Sequence, residues 1–232
     1  MRRTLLALVL GAAGLAAAAV PATASAAAST ASTASTAGTS VTSAANLSDS
    51  CSSDFFDGDR RLGPNTLPEW GPVGFELIGY QRTGGLAASQ FLATYYNPAA
   101  NGGSGGWIYP PDNGYVIAPN GQPLEFHLTL PPGTDMDRFG SEYGSFLAPA
   151  GLPYAARSIP PQSLVSNPAA TCNYHDYQVL KPFTVDAGPI AAWFAQPGGG
   201  LQYQLDSTLV PGAPSQLNVM WLVNNGYLGR IG

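Results

Sequence analysis

The apolar positions of this chain fall into three regimes. Leu5 to Val20 is an unbroken run of Leu, Ala, Val and Gly behind Arg2 and Arg3, closed by Pro21 and small residues. The run is shorter than the ~20 apolar residues a bilayer span needs, and its flanks are those of an export signal. Residues 1–26 are therefore read as a signal peptide, with cleavage after Ala24 or Ala26. Residues 27–50 are almost all Ser, Thr, Ala and Gly, which offer little to bury and predict a disordered tether. Residues 51–232 carry mixed apolar and polar patterning, a length that suits one domain.

Within that region helical periodicity is scarce. Thr83 to Tyr96 is its best instance, with Leu86, Gln90, Phe91 and Tyr95 roughly on one face and Asn97-Pro98 as a stop. Leu124, Phe126, Leu128 and Leu130 alternate with Glu125, His127 and Thr129, the period of a half-buried strand. Tyr115–Ala118, Tyr177–Leu180, Gly200–Leu205 and Met220–Val223 are read as further strands, and Asn101–Gly106 as a surface loop. With 28 Gly and 21 Pro, turns must be frequent. The expectation is a single compact α+β domain with a central mixed or mostly antiparallel sheet, few short helices and many Gly/Pro loops.

Charge narrows the partners. The chain has 9 Lys+Arg against 14 Asp+Glu, and losing Arg2 and Arg3 with the leader takes the net charge near −7. That balance repels phosphate backbones and anionic lipid, which argues against nucleic-acid and membrane-surface binding. Lys181 is the only lysine, so the remaining cations are a few arginines suited to local, bidentate anion recognition. Cys51 and Cys172 are the only cysteines, and in an oxidising compartment they read as one disulfide, worth roughly 4–5 kcal/mol in the chain-entropy model. His127 and His175 lie far apart without a second ligand at metal-binding spacing, so no metal site is expected. His127 falls on the polar face of its strand and His175 is read as structural or superficial.

No nucleophile elbow, paired-carboxylate motif or phosphate loop is present. Gly198-Gly199-Gly200 lacks the continuation that would make it a phosphate cradle. Four linked segments carry more. They are Asp57-Gly58-Asp59-Arg60-Arg61-Leu62-Gly63-Pro64, the run Asp137-Arg138-Phe139-Gly140 to Gly144 and on to Pro149, Arg157-Ser158-Ile159-Pro160-Pro161, and Trp193-Phe194-Ala195-Gln196-Pro197-Gly198-Gly199-Gly200-Leu201-Gln202-Tyr203. In this order they resemble the tuberculosis necrotizing toxin (TNT) domain family, including the secreted fungal surface NADases, over Cys51 to about Leu205.

The resemblance implies hydrolysis of NAD or NADP to nicotinamide and ADP-ribose or its phosphate, with the dinucleotide as substrate and no required cofactor, and the export signal and tether suit action outside the producing cell. It assigns Arg138 and Arg157 to the phosphate side of the dinucleotide, and Phe139 and Phe146 to the walls of the nicotinamide pocket. Some members carry Tyr where Phe146 stands. Gln202 takes the place of the catalytic amide, with Gln196 as the alternative register. Fungal relatives carry calcium near the C-terminus, but here Asn224 and Asn225 stand where carboxylates would be expected, which leaves calcium binding an open question. A homodimer and an immunity protein remain open as partners. Two other readings are ADP-ribosyl transfer to a protein and an inactive binding module. Transfer usually needs a carboxylate to activate the acceptor, and Tyr203, Gln204 and Leu205 follow Gln202 instead.

Overall fold

A computed structural model of the chain describes residues 49–231. The expected signal peptide and all of the tether before Asp49 lie outside the described residues. After two 3-10 turns (Phe56–Gly58 and Arg60–Leu62) come two short α-helices, α1 (Gly71–Glu76) and α2 (Ala88–Tyr95). A small antiparallel pair follows, β1 (Tyr96–Asn97) with β2 (Gly106–Trp107), around the single turn α3 (Ala100–Gly103). The main sheet consists of β3 (Phe126–Leu130), β4 (Asp135–Phe139), β5 (Phe146–Pro149), β6 (Tyr174–Val179), β7 (Phe183–Pro189), β8 (Leu201–Gln204) and β9 (Leu228–Arg230). Its order is β3-β7-β8-β5-β4-β6-β9, with every pairing antiparallel. Helix α4 (Val219–Asn224) lies between β8 and β9 in the chain. The fold class is α+β, and the sheet is antiparallel rather than mixed.

One face of the sheet makes the main core. Met136, Leu147, Tyr177, Val185 and Tyr203 project from five different strands against Val219 and Leu222 of α4. Each such aliphatic side chain contributes about 1.5–3 kcal/mol by leaving water. A second core gathers Leu77, Phe139, Tyr154 and Leu164 around the Cys51–Cys172 disulfide, whose Cα atoms lie 5.2 Å apart. That bond ties the first described residues to the turn before β6.

Several sequence expectations shift. Met220–Val223 is helical, because the Asn218 side chain accepts a hydrogen bond from Trp221 N at 2.9 Å and caps α4. The expected helix over 83–96 begins only at Ala88. Gly84 and Gly85, at φ 60° and 85°, occupy a turn that the Thr83 hydroxyl closes on the Leu86 carbonyl. Tyr115–Ala118 makes only isolated bridges, Tyr115 to Ile190 and Ile117 to Pro123. In the strand around residue 126, Leu128 and Leu130 turn inward while Leu124 and Phe126 stay exposed at the sheet's edge. Asn101–Gly106 contains the turn α3 and ends in β2, so it is not all loop.

Candidate functional site

The centre of the sheet positions the site. Strands β4 and β5 run antiparallel, so the C-terminal end of β4, with Arg138 and Phe139, meets the start of β5, with Phe146. Strand β8 pairs with β5 and brings Gln202 alongside them, on the opposite side of the strand from the core residue Tyr203. Segments 109–114 and 157–163 rise over this junction. Together they enclose a cleft of about 350 Å³ whose lining includes Arg138, Phe139, Phe146, Arg157 and Gln202. Tyr109, Asn113, Ser158 and Ser163 complete its walls. None of those four was given a role from the sequence: Tyr109, Asn113 and Ser163 stand outside the quoted segments, and Ser158 fills a variable position of Arg-x-x-Pro-Pro.

The two arginines have different partners. Arg157 is buried and its donors are engaged: Nη1 donates to Asp137 Oδ1 at 2.5 Å, Nη2 to Glu76 Oε2 at 2.7 Å, and Nε and Nη2 to the Leu152 carbonyl at 3.0 and 2.8 Å. Its guanidinium lies 5.1 Å from the centre of the Phe139 ring. Arg138 instead uses Nε and Nη1 on the Ser141 and Phe146 carbonyls, at 2.7 and 2.5 Å. Among the described residues it has no carboxylate at ion-pair distance. Burial lowers its pKa from the ordinary arginine value. A desolvated cation without a counter-charge is the natural seat for an anion.

The Arg157 cluster sets two carboxyl groups against one guanidinium. Burial, and secondarily the charge of Asp137, pushes the Glu76 carboxyl up to about 8, with Arg157 opposing. Glu76 Oε1 is buried with no hydrogen-bond partner among the described residues, which fits a neutral acid better than a carboxylate. A carboxyl whose pKa is higher in the folded than in the unfolded chain stabilises fully below its ordinary value of 4.5 and loses that contribution as pH rises toward 8. The melting temperature should therefore fall across that window. In Glu76→Gln, which fixes the neutral form, this part of the slope should vanish, and an unchanged slope in the scan would refute the assignment.

The walls are aromatic and rigid. Phe139 is boxed by Tyr154 and Tyr174, with ring centres 4.9 and 5.0 Å away. Gln202 is anchored through Nε2, which donates to the Asn113 carbonyl at 2.9 Å, so its other amide atom can address the cleft. Gln196 lies elsewhere: its Nε2 donates to the Gln81 carbonyl at 2.7 Å and ties two loops together. The glycine run before Gln202 passes its own chain, since a Cβ on Gly200 would meet the Ala156 carbonyl at 2.7 Å and one on Gly198 the Ala191 carbonyl at 2.6 Å. The run thus shapes the backbone rather than touching a ligand directly.

His127 is exposed, 3.4 Å from Asp186, and His175 is half-buried and stacked on Tyr177; neither lines the cleft. Asn225 caps α4, donating from Nδ2 to the Trp221 carbonyl at 2.8 Å. Among the described residues no group of three or more His, Cys, Asp or Glu side chains could hold a metal ion.

Comparison with known proteins gives this geometry a context. Residues 129–231 match the family model described as tuberculosis necrotizing toxin, a span that contains all five expected site residues. The chain is 45% identical over 175 residues to the conidial surface nicotinamide adenine dinucleotide glycohydrolase of Aspergillus fumigatus, covering 75% of this chain and 70% of that protein. Among solved structures, tuberculosis necrotizing toxin in complex with its immunity factor is similar at 21% identity and a TM-score of 0.47, covering 62% of this chain and 71% of that one.

Proposed function

The chain belongs to the tuberculosis necrotizing toxin family, and from that premise we propose how its cleft works as an NAD glycohydrolase. The enzyme cleaves the bond between nicotinamide and ribose in NAD. The observation that carries this reading is one cleft in which an arginine with no carboxylate at ion-pair distance among the described residues, two phenylalanines and an anchored amide meet from three separate strands.

The chemistry asks little of an acid. Nicotinamide leaves as a neutral ring because the electron pair of the broken C–N bond cancels the charge on its nitrogen, and water adds to the anomeric carbon and gives up a proton. What the protein must supply is position and electrostatics. In our reading Arg138 holds the pyrophosphate, Phe139 and Phe146 seat the nicotinamide ring, and Gln202 orients the attacking water or the ribose. Arg157 is a positioning residue: it fixes Asp137 and the Phe139 ring at the base of the cleft.

Export suits this activity. The leader-like N-terminus and the disulfide support an enzyme that acts outside the cell that makes it, on a dinucleotide rather than on nucleic acid or lipid. The purified protein should release nicotinamide from NAD in a fluorogenic or chromatographic assay without any protein acceptor. Turnover that depends on an added acceptor would point to ADP-ribosyl transfer, and none at all to a binding module. NADP in place of NAD resolves the preference between the two dinucleotides.

A further inference from the structure

Arg138 owes its orientation to a glycine. Its guanidinium is held by two carbonyls of the 140–146 loop, those of Ser141 and Phe146. Across the same loop, a Cβ built on Gly144 would lie 1.9 Å from Arg138 Nη2, 2.5 Å from Cζ and 3.0 Å from Nη1. The guanidinium therefore rests against the bare Cα of Gly144, in space any side chain would fill.

The loop cannot easily retreat. The Gly144 carbonyl accepts from Val219 N at 3.1 Å and the Glu142 carbonyl from Met220 N at 2.8 Å, both at the start of α4. The Glu142 carboxylate is fixed in turn by the Tyr177 hydroxyl at 2.7 Å and by both Nε and Nη2 of Arg230. Gly144 itself has no left-handed φ, so alanine there strains no backbone. The side chain that must yield is Arg138, whose guanidinium is the far end of a flexible chain.

We propose that Gly144 is a positioning residue of the active site, and that the 140–146 loop, anchored on α4 and β9, is a cradle aiming the Arg138 guanidinium at the anionic part of the dinucleotide. The proposal rests on the reading of Arg138 as the pyrophosphate donor. It makes the substrate's grip on the cleft depend on α4 and β9, elements outside the cleft lining.

The test is a double-mutant cycle on the full protein. Arg138→Ala should lower kcat/KM for NAD about tenfold, mostly through KM, and Gly144→Ala should do the same with an unchanged melting temperature. In Gly144→Ala/Arg138→Ala the loss should stay near that of Arg138→Ala alone, because the methyl then fills vacated space. Multiplying losses, or a Gly144→Ala enzyme within twofold of the parent, would overturn the cradle. If Arg138→Ala itself leaves KM unchanged, it is the reading of Arg138 that fails. Should Gly144→Ala fold poorly, the double variant decides: recovery of folding supports the clash with Arg138, and continued failure shows that Gly144 serves the loop alone.

Discussion

Replacing Gln202 with alanine is expected to lower kcat for NAD hydrolysis by about a hundredfold, on the order of 2.7 kcal/mol, with a much smaller change in KM. The amide is held at one end, where Nε2 donates to the Asn113 carbonyl, and reaches the cleft from β8 beside Phe146. A neutral amide can hydrogen-bond the ribose or the incoming water as charge develops in the transition state, without trapping a cationic substrate in the ground state. Its loss should therefore fall on the chemical step. Gln196→Ala is the control. That side chain joins the Gln81 and Phe194 carbonyls, so its removal should lower the melting temperature and leave kcat close to the parent. Loss of turnover in Gln196→Ala, with near-normal kcat in Gln202→Ala, would place the catalytic amide at Gln196.

The parts of this molecule that were legible from sequence are those whose signal is local. Leu128 and Leu130, Tyr177 to Val179 and Leu201 to Gln204 announce strands by alternation or β-rich composition, and the structure has strands there. Strand β4 was not announced, because Asp135-Met136-Asp137-Arg138-Phe139 places a charged residue at a fully buried position. Asp137 is tolerated there because Arg157, twenty residues on, Gly151 N and the Tyr174 hydroxyl all donate to it, an arrangement that no spacing rule describes. The Val-Met-Trp-Leu-Val run of α4 reads as a strand by propensity. The capping Asn218 before it was the available sign of a helix, and Val219 and Leu222 then fall on one buried face.

The candidate site divides the same way. Arg138, Phe139, Phe146 and Gln202 stand in motifs and line one cleft. The separate roles of the two arginines could not be read from the motifs, since Arg-x-x-Pro-Pro looks equally suited to a free phosphate donor and to a buried ion pair. The distinction lies in the acceptors. Arg157 finds two carboxyl groups and a carbonyl inside the protein, while Arg138 finds two carbonyls and no carboxylate at ion-pair distance among the described residues.

Arg157→Ala should therefore act first on the fold. Removing one partner of a buried charge cluster leaves uncompensated polar groups in the interior and typically costs about 3–5 kcal/mol. Here Asp137 is fully buried and Glu76 nearly so, and both would lose the donor they share. The Arg230–Glu142 pair offers the comparison, because the Arg230 side chain is 44% exposed and water screens it. Arg230→Ala should cost no more than about 1 kcal/mol. Urea unfolding at neutral pH would show the two side by side. Any activity left in the folded fraction of Arg157→Ala should show a raised KM, because the Phe139 ring has lost the guanidinium packed against it. An Arg157→Ala protein with the parent's urea midpoint and a tenfold higher KM would instead make Arg157 a direct donor to the substrate, with Asp137 and Glu76 held by other groups.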